Sequence, residues 1–181
     1  AEAKNVPVDE LVVCILDRPR HEELIRDVRA AGARIRLIRD GDVAGVIATA
    51  RAGSGVDIYM GSGGAPEGVL AAAALRCIGG QIQGRLLFRN DDEKQRAHRL
   101  GINDLDQTYT TEEMAKGDVM FAATGVTDGT MLKGVTRVGD TLHTHSIVMR
   151  SRSGTVRTIE AEHHVVRRDA TIPHLELHPI R

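Results

Sequence analysis

The sequence predicts an α/β fold, with a mostly parallel sheet flanked by helices and an antiparallel hairpin near the C-terminal end. In the first part of the chain, three apolar strand-like segments alternate with three helix-like segments. This alternation is typical of parallel strands joined by right-handed crossovers. Further along, residues 142–150 and 155–162 alternate in polarity around the turn-forming residues 151–154, which is the pattern of a hairpin.

The first strand is predicted at residues 11–16, a continuous apolar run of the kind found in strands that are covered on both faces. A helix should follow, because Leu24, Ile25 and Val28 are spaced to share one helical face. Gly32 is placed to end that helix.

The second and third strand–helix pairs follow the same logic. Residues 34–39 alternate in polarity and predict a strand, and Asp42 is placed to cap the next helix. Residues 56–60 then predict a short strand, followed by a glycine-rich turn. The third helix should open at Pro66, since proline suits the first turn of a helix, and run to about Cys77.

The middle of the chain is expected to carry shorter elements. Residues 81–88 predict a strand, and the charged residues 91–100 predict an exposed helix. Thr110 and Glu113 form the pattern of a capping box for a short helix. Residues 119–124 predict another buried strand.

Composition is consistent with one α/β domain over residues 1–181. Hydrophobic residues make up 41% and aromatic residues only 2%, so the core should be aliphatic. The formal net charge of −1 argues against nucleic-acid binding. No apolar run reaches the length of about 18 residues that a membrane span needs, and the polar start does not resemble a signal peptide.

Cys14 and Cys77 are expected to be buried thiols and not a disulfide, which suits a reducing cytoplasm. The tail that contains Pro173 and Pro179 is expected to be irregular.

Polar loops follow four of the predicted strands, with the sequences DRPR, DGD, GSGGAPEG and TGVTDG. Ligand sites in open α/β sheets form at the carboxyl ends of strands, so these loops are the candidate site. Arg18 and Arg20 suit a phosphate, although an isolated arginine pair is more often simply solvated. Asp40 and Asp42 suit sugar hydroxyls or a cation, or else a turn and a helix cap. Asp128 fits an ordinary glycine turn better.

The start of the third helix offers a second clue. Its glycines and unpaired N–H groups favour a bound anion. Glu67 stands just inside this helix start, where a carboxylate either complements the helix dipole or holds a cation beside the anion.

The eight histidines permit a different hypothesis. His143 and His145 would share a strand face, and His163 and His164 could lie opposite them, so a zinc site is one interpretation. No matching Cys or Glu spacing supports zinc, and a partly exposed strand face explains the pattern better. A Walker lysine, a nucleophile elbow and a dinucleotide fingerprint are all missing.

The loops also carry a resemblance to a known family. Together with the later segment THSIVMRSRSGTVRTIEAEHH, the stretches DRPRH, DGDVAG, GSGGAPEGV and ATGVTDG resemble the carboxyl-terminal half of class II fructose-1,6-bisphosphatase. Their order and spacing hold from about Val12 to His164.

The resemblance implies a layered α/β sandwich, similar to that of lithium-sensitive sugar phosphatases. It implies hydrolysis of the 1-phosphate of fructose 1,6-bisphosphate with Mn²⁺ or Mg²⁺, and some members also accept sedoheptulose 1,7-bisphosphate. Glu67 would be a metal ligand. The substrate-binding residues implied by the resemblance are Arg18, Pro19, Arg20, Asp40, Gly41, Asp42 and Gly64.

Two departures from the family limit this resemblance. Arg18 stands where many relatives have lysine, which keeps the charge but changes its geometry. The amino-terminal half, with its Glu-rich segment and DPxDGT-type motif, has no counterpart here. The chain is therefore expected to be a substrate-binding part that lacks catalytic residues, partners a missing amino-terminal half and associates as a homo-oligomer. The alternative is a non-catalytic sugar-phosphate-binding or regulatory module.

Overall fold

The computed structural model describes residues 1–165, so the predicted irregular tail with Pro173 and Pro179 lies outside the described residues. The chain divides into two compact units. The first comprises Ala1–Phe121 and Met149–Val156, and the second comprises Ala122–Val148 and the described residues from Arg157 onward. The single-domain assignment stays a prediction.

Nine strands and five α-helices make up the regular structure of the described residues. The strands are β1 (Val12–Leu16), β2 (Arg34–Ile38), β3 (Ile58–Tyr59), β4 (Gln83–Arg85), β5 (Thr108–Thr110), β6 (Met120–Thr124), β7 (Thr136–Val138), β8 (Thr141–Arg150) and β9 (Thr155–His164). The helices are α1 (Glu22–Ala30), α2 (Asp42–Ala48), α3 (Ala65–Ile78), α4 (Asp91–Arg99) and α5 (Thr111–Met114). None of these helices has the length and apolar character needed to cross a bilayer.

A parallel sheet with the order β2-β1-β3 organises the first unit. β1 is central and pairs in parallel with both neighbours, for example Val13 with Ile35 on one side and with Ile58 on the other. Strands β1 to β3 and helices α1 to α3 alternate along the chain as the sequence predicts.

The core of the first unit covers both faces of β1. Val13 and Ile15 project from one face and pack against Ile25 and Val28 of α1. Cys14 projects from the opposite face of the strand and is also buried. The apolar run of β1 therefore corresponds to a strand covered on both faces, as predicted.

Helices α2 and α3 build a second cluster, in which Val46 packs with Ala71 and Leu75. α3 begins at Ala65, one residue before Pro66, and buries Ala71, Ala72 and Ala74. Tyr59, at the end of β3, also packs against this cluster and so links α2 and α3 to the parallel sheet.

The expectation of a mostly parallel sheet is correct only for β1 to β3. β4 and β5 form an antiparallel pair, and β8 pairs with β6, β7 and β9 in a four-stranded sheet. The β8–β9 hairpin agrees with the prediction. Only two residues connect β7 to β8, and such a short connection permits antiparallel pairing alone.

Local predictions had mixed outcomes. The capping box at Thr110 forms in full, with both reciprocal hydrogen bonds to Glu113. Gly41 and not Asp42 is the N-cap of α2, because the helix already includes Asp42. The strand predicted at 81–88 shortens to β4. β6 is not a buried strand, since Met120 is 70% exposed while Phe121 is 7% exposed.

Candidate functional site

Three of the four predicted loops share one edge of the parallel sheet. Residues 17–21 follow β1, residues 39–42 follow β2 and residues 60–64 follow β3; we call them the β1, β2 and β3 loops. Because the strands are parallel, their carboxyl ends meet at this edge. The fourth loop follows β6 of the four-stranded sheet, and Asp128 in it accepts a hydrogen bond from the N–H of Gly134 at 2.8 Å. Asp128 therefore stabilises its own turn.

His21 links the β1 loop to the β3 loop. The ring is only 2% exposed, and its Nδ1–H donates to the carbonyl of Leu16 at 2.8 Å. Its Nε2 then accepts the N–H of Ser62 at 2.9 Å. A Cβ on Gly61 would lie 3.2 Å from the same ring, so a glycine at this position allows the close approach of the β3 loop.

His21 is buried and joins two loops, a structural role that was not predicted from the sequence. A signal was present, because residue 21 lies three, four and seven positions before Leu24, Ile25 and Val28. That spacing places the imidazole on the apolar face of α1.

Arg18 and Arg20 are exposed, and backbone carbonyl groups of the neighbouring loops orient both. Arg18 donates from Nη1 to the carbonyl of Asp17 at 2.9 Å and from Nη2 to that of Arg39 at 2.6 Å. Arg20 donates from Nε to the carbonyl of Ser62 at 2.9 Å. Among the described residues, no carboxylate lies within ion-pair distance of either guanidinium. Two cations with unused N–H donors therefore lie along this edge.

Pro19 opens the short 3₁₀ turn Pro19–His21, which leads from β1 into α1. Its fixed φ suits the first position of a helical turn. The turn separates Arg18, which bonds to the β2 loop, from Arg20, which bonds to the β3 loop. One short segment thus connects all three loops.

The β2 loop brings two carboxylates to the same edge. Gly41 adopts a left-handed conformation, with φ of 74°, as it turns into α2. Asp40 is exposed, while Asp42 is partly buried and accepts the N–H of Val43 at 2.9 Å. The other oxygen of Asp42 lies 3.8 Å from the position of a Cβ on Gly63. Asp42 is therefore adjacent to the β3 loop.

Glu67 lies in the first turn of α3, and its side chain folds back over Gly64. A Cβ on Gly64 would lie 3.1 Å from the carboxyl carbon of Glu67 and would overlap its Oε2. Gly64 has an ordinary extended conformation, with φ of −69° and ψ of 143°. The glycine is thus suited to the close approach of Glu67 and is not needed for an unusual backbone angle.

The described residues do not form a metal site by themselves. Among residues 1–165, no three His, Cys, Asp or Glu side chains come close enough to hold one ion. Glu67 offers a single exposed carboxylate, whereas a divalent cation in a protein usually takes several oxygen ligands. Its assignment as a metal ligand stays a prediction.

The zinc hypothesis for the hairpin histidines has no support in this part of the chain. His143 approaches Glu162 at 3.8 Å, and His145 accepts the N–H of Lys133 at 2.9 Å. His163 lies 3.1 Å from the hydroxyl of Thr144. These imidazoles bond to separate partners on partly exposed strands and do not converge.

Tyr59 lies at the end of β3 and is affected by the charges of the site. Burial raises the pKa of the Tyr59 phenol to about 12, and the nearby carboxylate of Asp42 adds to this rise, while Arg20 opposes it. The phenol therefore stays neutral at physiological pH and adds no charge to the edge.

Comparisons with known proteins identify the family of this chain. The sequence matches the family described as bacterial fructose-1,6-bisphosphatase, glpX-encoded, over residues 1–163. It is 43% identical over 176 residues to the D-fructose 1,6-bisphosphatase class 2/sedoheptulose 1,7-bisphosphatase of Synechocystis sp., which covers 90% of this chain and 51% of that protein. The proteins of the same description from Trichodesmium erythraeum and Crocosphaera subtropica are 43% and 44% identical, over 90% and 86% of this chain and 51% and 49% of theirs.

The chain thus spans about half the length of the curated relatives it matches. The matched region contains all the loops from which the resemblance was drawn, including the three that meet at the edge of the parallel sheet. The chain therefore belongs to the glpX-encoded, class II family of bacterial fructose-1,6-bisphosphatases.

Proposed function

We propose that this chain supplies the substrate-binding part of an enzyme that hydrolyses the 1-phosphate of fructose 1,6-bisphosphate. Water would attack the phosphorus, the bond to the sugar oxygen would break, and fructose 6-phosphate and inorganic phosphate would leave. The observation that carries the proposal is the junction of the three loops, in which Arg18 and Arg20 are oriented by carbonyl groups and keep unused donors.

The phosphate-binding role falls to these two arginines, with Pro19 between them. A guanidinium matches the oxygens of a phosphate through paired N–H donors, and this pairing is stronger than a neutral hydrogen bond. The N–H groups before α3, including that of Gly64, and the dipole of its fourteen residues favour the same anion. Arg18 and Arg20 together would balance the charge of one phosphate group.

The sugar-binding role falls to the β2 loop. Asp40 and Asp42 present carboxylate oxygens, which accept hydrogen bonds from hydroxyl groups. Gly41 leaves room between them, because it carries no side chain and holds a left-handed turn. Asp42, adjacent to the β3 loop, would orient a sugar whose phosphate is bound by the arginines.

Family membership implies a metal-dependent enzyme, and we propose Mn²⁺ or Mg²⁺ as its cofactor. Glu67, folded over Gly64, would supply one carboxylate ligand. The remaining ligands and the groups that activate water would come from the amino-terminal half, and we assign no step of the hydrolysis to this chain alone.

Phosphate release from fructose 1,6-bisphosphate with Mn²⁺ tests the proposal. The isolated chain should release none. A chimera, in which this chain replaces the matched half of the Synechocystis relative, should release phosphate. Turnover by the isolated chain would refute the assignment of the catalytic groups to the other half.

A non-catalytic sugar-phosphate-binding or regulatory module is the second candidate, favoured by the lack of a complete metal site among the described residues. An inactive chimera that still binds fructose 1,6-bisphosphate would support it. Substituting Arg20 by Met in the active chimera should raise KM for the bisphosphate, whereas a regulatory module would show no such effect.

Three broader expectations belong to the same proposal. The complete protein would adopt the layered α/β sandwich of sugar phosphatases, associate as a homo-oligomer and act in the cytoplasm. Sedimentation of the chimera would measure its oligomeric state, and a monomer would refute the second expectation.

A further inference from the structure

Strand β3 has one unpaired edge within the described part of the chain. It is the outer strand of the order β2-β1-β3. In its register Tyr59 lies opposite Cys14, and the carbonyl of Cys14 accepts the N–H of Met60 at 3.1 Å. In a parallel pair of strands, only one residue of each facing pair directs its N–H and C=O at the other strand, where it bonds to the residues before and after its partner. Cys14 directs its carbonyl at Met60, the residue after Tyr59. The N–H and C=O of Tyr59 therefore point away from β1.

Strand β4 has a similar edge. It pairs only with β5 among the described strands. The N–H of Ile82 donates to the hydroxyl of Thr111 at 2.8 Å, which places the backbone groups of Ile82 on the β5 side. Backbone groups alternate in direction along a strand, so those of Gln83 point away from β5.

A groove of ≈ 190 Å³ separates these two strands. Part of its wall is apolar, including Ile58, which is 42% exposed. The residues that line it are Val46, Thr49, Asp57, Ile58, Tyr59, Gln81, Ile82 and Gln83. The groove is therefore bounded by β3 with the preceding Asp57 on one side and by β4 with its two preceding residues on the other, while α2 and the following Thr49 contribute the rest.

Native proteins normally pair or cover the outer edges of their sheets, because free N–H and C=O groups on an exposed edge promote aggregation. An added strand satisfies those groups through main-chain hydrogen bonds. About half the length of the curated relatives lies outside the region that matches this chain, which is ample polypeptide to provide one extended segment.

We propose that this groove, between the edges of β3 and β4, receives an extended strand from the part of the polypeptide that the relatives have and this chain lacks. The strand would extend the sheet beyond β3 and cover Ile58. The proposal concerns assembly of the fold, and it does not depend on the catalytic activity proposed above.

Residue-resolved hydrogen exchange of the Tyr59 and Gln83 amides tests the inference. Both amides should exchange at least about tenfold more slowly in the chimera with the Synechocystis relative than in the isolated chain, because pairing protects them. The amides of β1, the central strand of the sheet in both samples, serve as the control that the fold is intact.

Thr49 offers a matched pair of variants of that chimera. Its hydroxyl donates to the carbonyl of Val46 at 2.7 Å, and it lines the groove. Thr49→Trp should fill the groove and return the Tyr59 and Gln83 amides to the rates of the isolated chain. Thr49→Ser keeps the hydrogen bond and should leave them protected.

Three results would overturn the inference. The first is equal exchange of both amides in the unmodified chimera and the isolated chain, which needs no variant to fold. The second is slow exchange already in the isolated chain together with a dimeric mass, which would identify a second copy as the occupant. Protection that survives in a folded Thr49→Trp chimera would likewise place the added strand elsewhere.

Discussion

Replacing His21 by Phe should destabilise the chain by about 2–4 kcal/mol. The substitution keeps an aromatic ring in a site that is 2% exposed but removes both hydrogen-bonding nitrogens. Leaving a buried partner unpaired costs about 1–3 kcal/mol. The unpaired carbonyl of Leu16 should lower the free energy of unfolding by this full amount, because Leu16 is only 6% exposed. The unpaired N–H of Ser62 should lower it by less, because Ser62 is only partly buried.

His21→Asn is the matched control for that substitution. Its side-chain amide can replace Nδ1 and still donate to Leu16, so we expect about half the loss, roughly 1–2 kcal/mol. Urea unfolding followed by circular dichroism measures both values. A His21→Phe change smaller than about 0.5 kcal/mol, the range of ordinary surface substitutions, would refute the proposed role of His21 in holding the loops.

Three further predictions follow from the same structure. Because the pKa of Tyr59 rises from 10.0 to about 12 on folding, the unfolded chain loses this proton first, and stability should fall by on the order of 2–3 kcal/mol between pH 10 and 12. Stability is unaffected by this group below pH 10, and Tyr59→Phe should remove its contribution in pH-dependent urea unfolding. Burial raises the pKa of the Cys14 and Cys77 thiols, so a disulfide reagent at pH 8 should detect both in urea but neither in the folded chain. Gly64→Ala should displace Glu67 and raise the Mn²⁺ concentration for half-maximal activity of the chimera roughly tenfold; an unchanged Mn²⁺ titration would contradict the assignment of Glu67.

Much of the first unit could be predicted because its signals are local. The apolar run of β1 reports burial on both faces, and the spacing of Ile25 and Val28 reports the buried face of α1. The capping box at Thr110 needs only residues three positions apart. The free, buried state of Cys14 and Cys77 also agrees with the expectation.

The errors concern information that a local pattern does not contain. Residues 119–124 have the composition of a buried strand, yet burial depends on which faces other elements cover, and Met120 is exposed. The direction of a strand depends on its connections, so β4, β5 and β6 were wrongly included in a mostly parallel sheet. Asp42 was predicted to be the N-cap of α2. The N-cap is instead Gly41, which adopts a left-handed conformation, so the helix begins at Asp42.

Within the candidate site, the sequence identified the loops but not the contacts between them. Arg18 and Arg20 were predicted as phosphate ligands, and their bonds to the carbonyls of Arg39 and Ser62 depend on residues that are distant in sequence. The bond of His21 to Ser62 likewise depends on a distant residue, whereas the burial of His21 had a local signal in its spacing to the apolar face of α1.

The link between His21 and Ser62 also has a consequence for folding. The two residues are 41 positions apart, so this bond closes a long loop and can form only when β1 and β3 have paired. Contacts of high sequence separation generally form slowly, since the entropy of loop closure is lost before they contribute. The arrangement of the three loops should thus arise late in folding, after α1 and α3 have formed as local helices.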